Sequence, residues 1–486
     1  MKPMKRLAFI LIIGTTATLF SCNKLIESKE TDLVAGDIAL RTVAKCEQAV
    51  IGAYIALVPQ MDILLNSVFS DELKVGEFYN AQTIHEWQYS QTDVSIRDNL
   101  TAINPLYAIV DRANRVLKAL PNAVEESAGD AAKKNQLRGE ALFLRAYALF
   151  SLYQYYGAKY TPDALAMPYP ETPTIEPLAR IKADEYFQKL YADIAAAKPL
   201  LPATLADKNR ANQIAASGLL ARIALYKEDW ATAETEATAY INALPLATIA
   251  NFPSIWTDAS TTEVAFQIVR TPTVGARLGS IFRATSPSAT NLGTVTWRPS
   301  DKIWDAYGVG DVRFTTYLRD EPLLTASTPP RNSRIIRKYA GGSYNGAYGP
   351  AVTNENVANV KLFRTAEMYL IRAEARANKA AADLAGATQD INTLRSNRIT
   401  GYVNIPNFAN ATEANNAIID ERFKELAFEG HRFWDLKRKG LPVTRLAADA
   451  PNANSTTLAA GNFRFALPIP QPEINANPKM QQNQGY

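Results

Sequence analysis

The chain has 486 residues, 47% of them hydrophobic and 21% charged, which is the balance of a globular protein and excludes a disordered or fibrous one. That length accommodates two or three ordinary domains or one large repeat-built body. The formal charge is +4, three units of it from Lys2, Lys5 and Arg6, and no Lys/Arg stripe runs through the rest, which argues against a nucleic-acid partner.

At the start, those three cations precede an apolar run, Leu7 to Phe20, of signal-peptide length and too short to span a membrane. Leu19, Phe20, Ser21 and Cys22 follow the pattern of the bacterial lipobox, so residues 1–21 read as a lipoprotein signal peptide. Lipid would then sit on the Cys22 thiol, and residues 22–35 would form a polar tether. Only one other cysteine exists, Cys46; a Cys22–Cys46 disulfide is the competing reading, although disulfide-stapled chains are normally much richer in cysteine. No second hydrophobic stretch of spanning length is expected, so the body should be soluble and tethered.

The body, residues 36–486, reads as mainly α. Within it, 36–244 are helical, 245–359 form a loop-rich cap with a few short β-strands, and 360–486 are a C-terminal helical part. From Leu137 to Gly157, the residues Leu142, Ala146, Leu149 and Tyr153 fall on one helical face, and Gly157 suits a C-cap. Gly157 to Pro177 holds five prolines, which forbid helix and favour an extended connection. Asn212 to Ile241 reads as two helices broken at Lys227 to Asp229. Leu220, Ala221 and Ala224 precede the break; Trp230, Ala233 and Ala237 follow it, small enough for a tetratricopeptide-like hairpin. A similar pair runs from Leu362 to Arg398. In the cap, "EVAFQIV" alternates Val264, Phe266 and Ile268 as a strand would. Trp256, Trp297, Trp304, Tyr307, Tyr344 and Tyr348 also fall there, more aromatics than a helix scaffold should bury, so a minority are expected to face a ligand.

Catalytic patterns are scarce. There is no GxSxG, GxxxxGK[ST] or GxGxxG, and His85 and His431 are the only histidines, which leaves no multi-histidine metal site in one chain. Spatially paired carboxylates stay open. His431 is expected at a helix end, favoured by the C-terminal dipole, and "KRKG" at Lys437 to Gly440 as a solvated helix end. No enzyme activity, metal or dissociable cofactor is expected.

Four ordered segments resemble the SusD/RagB outer-membrane lipoproteins of Bacteroidota: "GEALFLRAYALFSLYQYYG"; "VKLFRTAEMYLIRAEARA" followed by Asn392, Arg395 and Arg398; "IIDERFKELAFEGHRFWDLKRKG"; and "ALPIPQPEINANPKMQQNQGY". "SDE" at Ser70 to Glu72 and "YAIVDRANRVL" extend the likeness over nearly the whole body. The resemblance implies a tetratricopeptide-like scaffold with a loop-rich cap, lipid-anchored at the outer membrane and facing the medium. Such a protein hands an oligosaccharide, or in some members a peptide, to a SusC-type TonB-dependent transporter. A lipid-anchored scaffold for a protein or peptide partner is the alternative. Glu421, Arg422, Glu425, Arg432 and Asp435 are expected to form local ion pairs and to be architectural. Ligand contacts are assigned to the unmatched loops: Trp87, Tyr79 and Asn80 first, then Trp297 with Arg298, and Tyr344 with Asn345. Sugar rings pack on flat aromatics while their hydroxyls bond amide, carboxylate and guanidinium groups.

Overall fold

The computed structural model describes residues 39–78, 82–94, 96, 102–341 and 348–486. Cys22 and the tether lie outside the described residues, as do Tyr79, Asn80, Tyr344 and Asn345. The longer helices are, in chain order, α1 (Val43–Ile55), α2 (Pro59–Phe69), α3 (Ile103–Ala119), α4 (Asp130–Tyr156), α5 (Ala183–Ala197), α6 (Gln213–Lys227), α7 (Trp230–Ala243), α8 (Thr365–Asn378), α9 (Leu384–Ser396), α10 (Ala411–Glu425) and α11 (Arg432–Lys439). Short strands pair two by two: β1 (Leu73–Val75) with β3 (Trp297–Pro299), β2 (Val264–Ile268) with β6 (Val360–Arg364), β4 (Leu318–Asp320) with β5 (Arg334–Ile336), and β7 (Val443–Thr444) with β8 (Thr457–Leu458).

Successive helices pack as hairpins, α3 on α4, α4 on α5, α6 on α7 and α8 on α9, and α7 packs on α8 to join the last two pairs. The break expected at Lys227 to Asp229 is where the chain turns. Glu228 adopts φ 60°, and the Asp229 side chain accepts from Thr232 N at 3.1 Å to start α7. Ala221 and Ala224 on one side and Ala233 and Ala237 on the other are buried, so the two backbones approach closely. α4 goes beyond the one-faced reading: from Leu137 onward nearly every side chain is buried, because α1, α3, α5 and α6 surround it. Gly157 ends it for space rather than handedness, since its φ is −80° and a Cβ there would lie 2.7 Å from the Tyr153 ring. Val43–Phe69 is long and apolar enough by composition alone to cross a membrane, contrary to the expectation of no second such stretch. In the fold it is two helices, α1 and α2, bent apart ahead of Pro59, with Val43, Cys46, Val50, Ile63 and Leu65 in the core. Cys46 is a buried free thiol.

The motif charges turn out to be buried; Arg422 and Asp435 form the expected local pair at 2.7 Å, and the others join distant segments. Glu425 accepts from Arg364 (3.0 Å), Arg398 (3.1 Å) and Arg313 (3.3 Å). Arg364 reaches on to Glu263 and Glu429, Arg398 to Glu263, and Arg313 to Glu421, so α8, α9, α10 and the cap share one interior network. Asp71 of the "SDE" motif receives Arg432 through two bonds of 2.8 and 2.9 Å, and Glu72 accepts from Phe428 N at 3.1 Å. Asn483 donates to Tyr156 O and Leu467 O, pinning the C-terminal segment to the end of α4.

Two charge expectations are corrected. His431 caps the start of α11, where the dipole disfavours a cation. Burial, only partly opposed by Glu367, holds its pKa down to about 4, so the ring is neutral near pH 7. "KRKG" is a helix end, but its first two cations are not solvated: Lys437 donates to Gln154 O and to Gly157 O (2.9 Å), closing the carbonyl end of α4, and Arg438 bonds Asp435 and Glu374, while Gly440 is exposed.

Candidate functional site

Trp87, Trp297 and Arg298 are interior residues, which corrects their assignment as contact residues. Trp87 is 4% exposed; its indole N–H donates to Phe69 O at 3.0 Å, and the Arg445 guanidinium lies 4.0 Å from the ring centroid. Trp297 is 3% exposed, edge-on to His85 at 5.1 Å. Arg298 donates to Asn332 O, Arg334 O and Glu77. Such rings leave no face for a sugar, and their polar atoms already have partners. The other described cap aromatics are likewise packed: Trp256, Trp304 and Tyr348 are buried and Tyr307 is half-buried. A pocket of ≈ 210 Å³ reaches Trp256, but Lys338 Nζ sits 4.0 Å from that ring.

These buried residues nevertheless hold together the segments singled out from sequence. β1 pairs antiparallel with β3, Val75 opposite Trp297 and Lys74 opposite Arg298. The pairing continues past the strands, with Gly76 N to Thr296 O at 2.9 Å and Glu77 N to Val295 O at 2.7 Å. Gly76 is required for this approach, since a Cβ would lie 2.0 Å from Val295 O. Beneath the turn, Arg445 donates to Ser70 O, His85 O and Val68 O and clamps the backbone on both sides of β1.

The outward side of this junction is polar around one bare ring. Glu77 accepts from Arg331 Nη2 at 2.6 Å and from Val295 N at 2.9 Å. Partial burial pushes its carboxyl up, but Arg331, Val295 N–H and Arg298 together bring it below the ordinary value. Arg331 also reaches Asn291 Oδ1 at 3.0 Å and the carbonyls of Leu292 and Gly293. Gly349, which follows the 342–347 segment, lies against Ser288 and Ala289, so the ends of all these loops converge. Next to Glu77 stands Phe78, 57% exposed; among the described aromatics it and Phe463 are the two classed as exposed. Sequence reasoning missed Phe78, Glu77, Asn291 and Arg331. In sequence Phe78 immediately precedes Tyr79 and Asn80, which were assigned as contacts, so the segment was right and the residue was not named.

What this arrangement offers is one exposed apolar ring, Phe78, next in the chain to the Glu77 carboxylate that Arg331 and Val295 N–H hold. Among the described residues no group of His, Cys, Asp and Glu is placed to hold a metal. Residues 295–486 match the SusD family, and residues 33–225 match a family described as "Starch-binding associating with outer membrane". The chain belongs to the SusD family. It is 25% identical to SusD-like protein P2 of Formosa agariphila over 524 aligned positions, 99% of each chain. It is 35% identical to the starch-binding protein SusD of Bacteroides thetaiotaomicron over 130 residues, 26% of this chain and 22% of that one. A SusD superfamily crystal structure from B. thetaiotaomicron superposes with a TM-score of 0.78 at 22% identity, covering 91% of this chain and 99% of that one. The shared fold is therefore the helix-hairpin scaffold with its cap, as read from the sequence.

Proposed function

We propose that this protein is a lipid-anchored binding protein of the outer membrane, facing the medium, that captures an oligosaccharide and passes it to a SusC-type TonB-dependent transporter. The observation that carries the reading is Phe78, an exposed ring next in the chain to Glu77, which Arg331 ties to Asn291 and the cap loops, while the described aromatics of the cap itself are buried or half-buried. CH faces of a sugar pack on such a ring, and its hydroxyls bond to the flanking groups. The starch-binding relative and the starch-binding family description support carbohydrate as the ligand class. As a SusD-family binding protein it is not an enzyme, and ligand release needs only a competing contact from the transporter. Lipid attachment at Cys22 rests on the lipobox.

The test is calorimetry of the mature chain against a panel of soluble glycans. At least one should bind, and Phe78→Ala should weaken that binding about five- to tenfold, or about 1 to 1.4 kcal/mol, with an unchanged melting temperature. Unaltered affinity in Phe78→Ala and Asn291→Ala would remove this surface as the site.

A further inference from the structure

Between α1 and α3 lies a groove of ≈ 710 Å³ that shares no lining residue with the cap junction and that no ligand reading uses. Its floor is apolar, with Leu40, Ala49, Ala119 and Pro173. Its rim carries four exposed cations, Arg41, Arg112, Arg115 and Lys118. Asp111 engages Arg115 at 2.7 Å, and Arg112 gives one N–H to Gly52 O, which leaves the rim strongly positive. An occupant therefore needs apolar side chains interleaved with carboxylates.

The chain supplies that pattern immediately upstream. Ala39 and Leu40, the first described residues, are themselves walls of the groove. Residues 30–38, "ETDLVAGDI", combine Glu30, Asp32 and Asp37 with Leu33, Val34 and Ile38 and contain no cation. The family match begins at residue 33, inside this stretch rather than after it. We infer that residues 30–38 dock in this groove, Leu33 and Val34 against its floor and the three carboxylates against the cationic rim. Covalent attachment gives the segment an effective concentration in the millimolar range, so modest contacts suffice. On the lipid-anchored reading above, docking also sets the stand-off from the membrane. Sixteen residues lie between Cys22 and Ala39, a reach of roughly 60 Å, whereas docking from Glu30 leaves seven, roughly 30 Å.

Hydrogen exchange on the mature chain carrying Cys22→Ala tests this without any lipid or glycan, so its outcome is independent of the anchoring and ligand readings. Amides of residues 33–38 should exchange at least tenfold more slowly than in a free peptide of the same sequence, equally at two protein concentrations. Arg112→Glu with Lys118→Glu should abolish that protection, and adding Glu30→Lys, Asp32→Lys and Asp37→Lys should restore it. If the reversed-rim variant does not fold by circular dichroism, the unaltered chain in ~1 M salt, where screening shortens to about 3 Å, should lose protection instead. Free-peptide exchange rates, protection indifferent to charge reversal and to salt, or protection that grows with protein concentration and so reports a second copy, would each overturn the assignment.

Discussion

Glu425 shows what the family signature does at the residue scale. Its carboxylate lies among Arg313, Arg364 and Arg398, all essentially inaccessible to water, and these guanidiniums outweigh the burial that would raise its pKa. Replacing one member of such a cluster leaves charges buried without compensation, which costs about 3–5 kcal/mol. Glu425→Gln should therefore lower stability in urea unfolding by that order while leaving glycan affinity unchanged wherever the protein still folds. Trp87 and Phe78 make the opposite pair. Trp87→Ala empties a core site and should cost about 3–5 kcal/mol of stability, whereas Phe78→Ala should touch affinity alone. Sequence placed the contact in the loop that holds both residues but named Trp87 and not Phe78. It carried no signal that Arg445, 358 positions away in sequence, would cover the Trp87 face.

At the scale of elements, the β1–β3 pairing is what turns three separate loops into a surface. It depends on Gly76, so Gly76→Ala should displace the β1–β3 junction and depress both melting temperature and ligand affinity, readable by calorimetry and thermal unfolding. The contact of α8 with α11 is ionic: Glu374 accepts from Arg438 at 2.7 and 2.9 Å and from Lys439 at 3.1 Å. Burial opposes ionisation of Glu374, but Arg438 and Lys439 prevail and bring its pKa down to about 2. A depressed acid stabilises the fold above its unfolded value near 4.5, and that contribution disappears as pH falls toward 2. Unfolding midpoints should drop through that window, and Glu374→Gln should flatten the drop. The hairpins were legible because alanine spacing and a two-residue break report directly on close helix packing. The strand pairs were not, since each strand is two to five residues long and, for β1–β3 and β2–β6, the partner lies far away in sequence.

For the whole molecule, the proposed anchoring predicts that Cys22→Ala releases the protein from the membrane fraction while Cys46→Ala, at a buried thiol, does not. Protease treatment of intact cells should cut the anchored form if the body faces the medium. By itself the sequence determined the scaffold class, the place of the helix breaks, the buried state of Cys46 and the membership of the SusD family, because periodicity and motif order are written along one chain. The tertiary structure decided what the motif charges are for and which aromatics remain open. Both depend on partners from distant segments: Asp71 pairs with Arg432, 361 positions away, and Trp87 lies under Arg445, only once the N- and C-terminal parts pack together. A residue's exposure is set by what covers it, and the cover is chosen by the fold.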